Sequence, residues 1–143
     1  MEYPREETLA ALSEVLARAS WRLRKNERKE LAPFGLTFAQ ARALRVLVDT
    51  GPMRIGDLAG FLEIAARSAT SRVDDLEVAG LVTRQADPDD RRSVVVAAST
   101  AGRELVARLA AERKEGARSL FAPLSAEEQM ELLLLLTSVT AES

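Results

Sequence analysis

The chain has 143 residues, the length of one ordinary domain, and is 47% hydrophobic and 29% charged; this excludes wholesale disorder and any need for a disulfide or metal staple. It contains no Cys and no His, so thiolate and Ser-His-Asp catalysis, thiol redox sensing and Cys-based zinc sites are excluded. Lys and Arg number 20 against 22 Asp and Glu, a net charge of −2, so contact with nucleic acid has to come from locally placed cations.

No apolar run approaches the ~20 residues of a membrane span; Leu132 to Leu136 holds five. The first residues, Met1 to Glu7, lack the apolar core of a signal peptide. The expected compartment is the cytoplasm, with no membrane partner.

Residues 6–31 read as one long helix, because Leu9, Leu12, Leu16, Ala19 and Leu23 recur at spacings of three and four. Pro33 and Gly35 end it. Thr37-Phe38-Ala39-Gln40 fits a capping box opening a second helix, with Ala41, Leu44, Val46, Leu47 and Val48 as its apolar content. After the turn Asp49-Thr50-Gly51-Pro52, Ile55 to Leu62 forms a short third helix. A fourth, from about Ala65 to Ala79, places Ala65, Ala69, Val73 and Leu76 on one face, and Gly80 suits its left-handed C′ position. The period then switches. Leu81 to Arg84 and Ser93 to Ala97 read as a hairpin around the charged tip Asp87-Pro88-Asp89-Asp90. Thr100 caps a fifth helix, roughly 101–121. Pro123 breaks it, and the capping box Ser125-Ala126-Glu127-Glu128 opens a sixth, to about Ala141.

Six helices with a two-stranded hairpin after the fourth give a mainly α (α+β) fold on the winged helix-turn-helix plan. Residues 36–100 form the DNA-binding region of a single domain spanning 1–143. Residues 6–31 and 101–142 supply dimerisation helices, since five consecutive leucines cover every side of a helix and need a partner beyond the local core.

The third and fourth helices are linked as in a helix-turn-helix, whose second helix enters the major groove. Arg67-Ser68-Ala69-Thr70-Ser71-Arg72 carries two cations and three hydroxyls without an acid, while Asp74, Asp75 and Glu77 lie in the later half. Guanidinium groups and short hydroxyls are what phosphates and base edges take. Arg91 and Arg92, just past the hairpin tip, suit a neighbouring minor groove; Asp90 would orient the wing Arg or pair with a nearby cation. Thr37, Gln40 and Arg54 are further candidates for backbone contacts. The Asp87 to Asp90 cluster lacks the Gly and terminal Glu of a calcium loop, so no metal, no cofactor and no catalytic residue is expected. Against the DNA reading, residues 54–103 carry seven cations and eight acids. That balance suits a winged-helix interaction protein without DNA binding, the alternative.

Several segments, in order, resemble the MarR family of bacterial transcription regulators. Leu36-Thr37-Phe38-Ala39-Gln40 resembles the family's L-T-x-x-Q, and Gly51 to Ala59 its G-P…L-A stretch. Leu76-Glu77-Val78-Ala79-Gly80-Leu81-Val82 resembles L-E-x-x-G-L-V, Asp87 to Arg92 the wing with its Asp-x-Arg, and Thr100-Ala101-Gly102-Arg103 the start of the fifth helix. The resemblance implies a homodimeric winged-helix repressor or activator, the ligand-responsive repressor being the reading taken, binding a pseudo-palindromic operator. It also implies a cleft for a small aromatic or anionic effector, which we place near Trp21, Arg22, Phe34 and Phe38. The chain departs from the family pattern at Ser71, where the recognition helix often carries Arg. Without Cys it cannot be one of the family's thiol-based peroxide sensors.

Overall fold

The computed structural model describes residues 5–141. Residues 1–4 of the N-terminal reading, and residues 142–143 at the end of the expected domain, lie outside the described residues. In chain order the elements are α1 (Arg5–Leu23), α2 (Lys25–Leu31), a 3-10 turn (Ala32–Phe34), α3 (Phe38–Thr50), β1 (Met53–Arg54), α4 (Ile55–Leu62), α5 (Ala66–Val78), β2 (Val82–Ala86), β3 (Val94–Ala98), α6 (Thr100–Phe121) and α7 (Ala126–Thr140). The described residues form two compact units, one over Glu27–Ala111 and the other over those up to Asn26 together with those from Glu112 onward.

In the first unit, α2 through the first half of α6 enclose one apolar core. Leu31, Leu44, Leu47, Leu58, Val73, Leu76, Leu81, Val96 and Leu105 are fully buried. The helix periodicity is realised directly: Ala69, Val73 and Leu76 form the buried stripe of α5, and Ala41, Leu44 and Leu47 that of α3. The sheet is antiparallel in the order β1-β3-β2. Val82 faces Ala98 and Ala86 faces Val94 across the hairpin, while Arg54 faces Val95. The hairpin strands begin one residue later and end one or two residues later than expected. The two-residue β1 was not foreseen, because a pair of residues after Pro52 leaves no period-2 signal.

Three chain reversals share one mechanism. At Gly35, Glu63 and Gly80 the backbone turns left-handed, with φ of 65°, 55° and 75°. The following residue's N–H bonds back to a carbonyl five residues earlier: Leu36 to Leu31 at 3.3 Å, Ile64 to Ala59 at 3.0 Å and Leu81 to Leu76 at 2.9 Å. This is the Schellman ending, in which the residue after the turn plugs the core. Leu81 is fully buried.

Two expectations need correction. The helix over 6–31 is broken: Arg24 is a turn between α1 and α2. The apolar stripe lapses for seven polar residues, Arg24 to Glu30, and α2 buries Glu27 and Leu31, whereas α1 buries none of its residues. The cap of α6 is Ser99 and not Thr100. Ser99 Oγ accepts from Gly102 N at 3.1 Å and donates to the Gly80 carbonyl at 2.7 Å. Ser99 N donates to the Leu81 carbonyl at 2.9 Å, which starts the helix one residue early. Thr100 Oγ1 instead accepts from Arg103 Nη2 at 3.1 Å. Both expected capping boxes are present, at Thr37 with Gln40 and at Ser125 with Glu128.

In the second unit, α1, the end of α6 and α7 are helical. Gly116 brings α6 close to the end of α1: a Cβ there would lie 2.5 Å from the Leu23 carbonyl oxygen. Leu9, Leu12, Val15 and Leu16 on α1, and Met130, Leu133, Leu134, Leu135 and Val139 on α7, are exposed.

Candidate nucleic-acid interface

The helix-turn-helix comprises α4 and α5, joined through the left-handed Glu63. With Ala69, Val73 and Leu76 buried, the opposite side of α5 is set by geometry. Arg67, Ser68, Thr70 and Ser71 are exposed and Arg72 is half-buried. Arg67 with Ser71, and Ser68 with Arg72, form two i, i+4 rows along the first turns. Thr70 Oγ1 donates to the Ala66 carbonyl at 3.0 Å, so its proton is committed and its lone pairs face outward. It can accept from a base amino group but has no proton left for a phosphate.

Each acid of α5 has an internal partner. Arg84 on β2 bridges two of them, Nη2 to Asp74 Oδ1 at 2.5 Å and Nη1 to Glu77 Oε1 at 2.6 Å. Asp75 Oδ2 accepts from Gln40 Nε2 at 2.7 Å. The two carboxylates hold the Arg84 guanidinium in its charged form, its pKa raised. The first half of α5 thus presents cations and hydroxyls, while the carboxylates of the second half are bonded within the unit.

At the hairpin, Asp87 is the hub. Its Oδ2 accepts from Arg54 Nη2 at 2.7 Å and Nε at 3.2 Å, and its Oδ1 from Asp89 N at 2.9 Å. The Arg54 hydrogen bond, followed by the Asp89 N–H, holds the Asp87 carboxyl below its ordinary pKa. Asp90 accepts from Arg92 N at 3.0 Å and from Ser93 Oγ at 3.2 Å. It orients Arg92 through the backbone and leaves the side chain alone. Arg91 and Arg92 are exposed. The side chains of Arg67, Arg72, Arg91 and Arg92 have no ion-pair partner among the described residues.

The three candidates for backbone contacts each have an internal partner as well. Thr37 Oγ1 accepts from Gln40 N at 3.2 Å, Gln40 Oε1 accepts from Thr37 N at 2.8 Å, and Arg54 is held by Asp87. The Arg84 bridge was missed in the sequence, where Arg84 shows only as a polar position on a strand.

The expected effector residues are divided between the two units. Trp21 and Arg22 border a concavity of about 440 Å³ with Ala17 and Arg18. Phe34 borders another, of about 540 Å³, with Leu36, Gln40, Asp75 and Val78. Phe38 packs against the core of its own unit. No helix among the described residues is long and apolar enough to cross a membrane.

Known proteins share this arrangement. The MarR family model matches residues 36–94. The HTH-type transcriptional regulator YcgE of Bacillus subtilis is 32% identical over 108 residues, 76% of this chain and 70% of its own. The crystal structure of a probable transcriptional regulator from Pseudomonas aeruginosa is 34% identical, with a TM-score of 0.63 over 89% of this chain and 95% of that one. BpsR of Bordetella bronchiseptica, whose DNA binding is regulated by 6-hydroxynicotinic acid, is 25% identical with a TM-score of 0.63, covering 92% of this chain and 94% of its own. These relatives are regulators of transcription and not enzymes. With helix-turn-helix and wing in the family's order, the chain belongs to the MarR family of transcriptional regulators.

Proposed function

We propose that this regulator is a cytoplasmic homodimeric repressor that binds a pseudo-palindromic operator in duplex DNA. In this reading Arg67, Ser68, Thr70, Ser71 and Arg72 face the major groove, and Arg92, assisted by Arg91, enters the minor groove. The observation that carries it is the sorting of charge on α5. The balance of seven cations against eight acids over residues 54–103 argued for an interaction protein. Internal bonding to Arg84 and Gln40 occupies the acids of α5, and the free guanidinium groups lie on the first turns of α5 and at the wing tip. Groove binding requires local charge of this kind.

Dimerisation is supported by α1 and α7, which bury no residue of their own and expose nine large apolar side chains between them, besides Trp21. Large apolar side chains left exposed in that number along two helices suit a protein interface. An aromatic acid is the effector class we favour, because Trp21 offers a ring face beside the cations Arg18 and Arg22 and BpsR responds to such a molecule.

The test is selection of bound duplexes from a random pool, with sedimentation of the free protein. The expected results are an enriched inverted repeat, its half-sites about 10 bp or a multiple apart, and a dimer at micromolar concentration. Absence of any enriched sequence, or a folded monomer, overturns the corresponding part of the proposal. For the effector, 6-hydroxynicotinic acid and related aromatic acids should shift DNA affinity or melting temperature; a panel that moves neither overturns it.

A further inference from the structure

Two ion-pair ties lie on β2 and just past its end, and the pairing of Arg84 answers no demand of burial, since the side chains of Asp74 and Glu77 are 58% and 44% exposed. Their placement is informative. Arg84 ties β2 to α5 through two carboxylates one helical turn apart, at 2.5 and 2.6 Å. Three residues on, Asp87 ties the far end of β2 to Arg54 on β1 at 2.7 Å. Because the strand order is β1-β3-β2, the second tie spans the sheet from one flanking strand to the other.

We propose that Arg84 is a positioning residue for DNA binding, fixing the distance between the base-reading face of α5 and the wing arginines. The inference rests on the DNA-binding reading above. A five-residue strand is about 17 Å long at ~3.3 Å per residue. A hairpin pivoting by about 10° at its base therefore carries its tip ~3 Å, close to the ~3.4 Å rise of one base pair. A swing that small puts Arg92 on a neighbouring base step while α5 stays in register. Leu81, Val82 and Val96 anchor the base of the hairpin in the core, but beyond them Thr83, Gln85, Ala86 and Val94 are exposed, so the outer part of the hairpin has little packing to hold it. Arg84, two residues along β2, bears on the hairpin as a strut, and its planar guanidinium grips both carboxylates at once, a geometry that an ammonium does not reproduce. The Arg54–Asp87 tie stiffens the outer part of the same lever.

The experiment uses the full chain and the operator recovered by selection. A second operator moves the A·T-rich minor-groove flank outward by one base pair and leaves the major-groove bases unchanged. Wild type should bind the shifted operator about tenfold more weakly, the scale of one mismatched position. Arg84→Ala should narrow that penalty to less than twofold. The double variant Asp74→Asn/Glu77→Gln should narrow it likewise, although it changes the charge in the opposite direction. Arg84→Lys, keeping one tie, should fall between. If Arg84 acts only through charge, Arg84→Ala and the double variant move affinity in opposite directions and leave the penalty at the wild-type value, which overturns the proposal. A wild type without a spacing penalty also overturns it. Melting curves show which variants are folded, and the three variants are measured separately, so one unfolded variant leaves the others decisive. Wild type that selects no DNA at all would defeat the functional reading itself, an outcome distinct from a bound wild type whose penalty survives in the variants.

Discussion

Replacing Gly102 by Ala should cost far more than a buried methyl group ordinarily does. A Cβ at this position runs into the Leu81 carbonyl oxygen, with the Leu81 carbonyl carbon at 3.2 Å and Leu44 Cδ1 at 3.1 Å. The backbone oxygen cannot rotate away as a side chain would. It also accepts the 2.9 Å bond from Ser99 N that starts α6. Relief requires the helix and the start of β2 to separate by about 1 Å, which opens packing against fully buried Leu81 and Leu44 and stretches that bond. Overpacking of this kind costs about 1–3 kcal/mol and the weakened hydrogen bond about 1 kcal/mol; the helix propensity of Ala returns up to ~1 kcal/mol. The net loss is about 2–3 kcal/mol, or a fall in melting temperature of roughly 8–10 °C for a chain of this size. Gly60→Ala is the internal control. Gly60 lies within α4 and nothing approaches its Cβ position within 4 Å, so the same chemical change should stabilise by about 0.5–1 kcal/mol. Thermal and denaturant unfolding at one fixed protein concentration should therefore show opposite signs. Gly102→Ala as stable as wild type would refute the close-approach argument.

Three further expectations follow from the same geometry. Glu63 occupies a left-handed position that glycine fills at the two equivalent turns, so Glu63→Gly should stabilise by a few tenths to about 1 kcal/mol; a lowered melting temperature would count against strain there. The Asp87 carboxyl is held below its ordinary value of 3.8. Its tie to Arg54 therefore contributes stability above that pH, which is lost as the pH falls through the depressed value. Asp87→Asn should be less stable than wild type near neutrality and converge with it in strong acid, as denaturation midpoints across pH would show. Arg92→Ala should weaken all A·T-containing sites alike and reduce the salt slope by about one unit per lost contact, whereas Arg67→Ala should lose ~1–3 kcal/mol of discrimination at one position per half-site. Titrations at several salt concentrations separate the two, and wild-type behaviour of Arg92→Ala at every salt would leave the wing a mere hairpin.

Features that depend on a few neighbouring residues were legible in the sequence. The capping boxes at Thr37 and Ser125, the left-handed Gly80 and the buried stripe of α5 each arise from spacings of three or four along one helix. What was not legible depends on partners distant in the chain. Nothing near Glu63 signals positive φ, because the turn is imposed by Ile64 reaching the core and not by a permissive residue. Ser99 beats Thr100 as the cap because Gly80 and Leu81, nearly twenty residues earlier, supply its partners. The Arg84 bridge needs β2 to pack beside α5, and Arg54 meets Asp87 only once β1 joins the sheet. The break at Arg24 did leave a trace, a polar stretch without a stripe, in a segment otherwise rich in helix formers.

Gln40 illustrates how a commonplace motif becomes restrictive in context. In most helices of this type the third residue can be Glu or Gln without consequence, and glutamate is the better match to a helix N-terminus. Here the two halves of one amide point to different masters: the oxygen closes the start of α3 and the nitrogen holds Asp75 on α5. Glutamate would keep the first bond and turn the second into a clash of two carboxylates. A position that looks freely interchangeable in the isolated helix thus favours the neutral residue, and the beginning of α3 is coupled to the recognition helix by the choice of amide over acid.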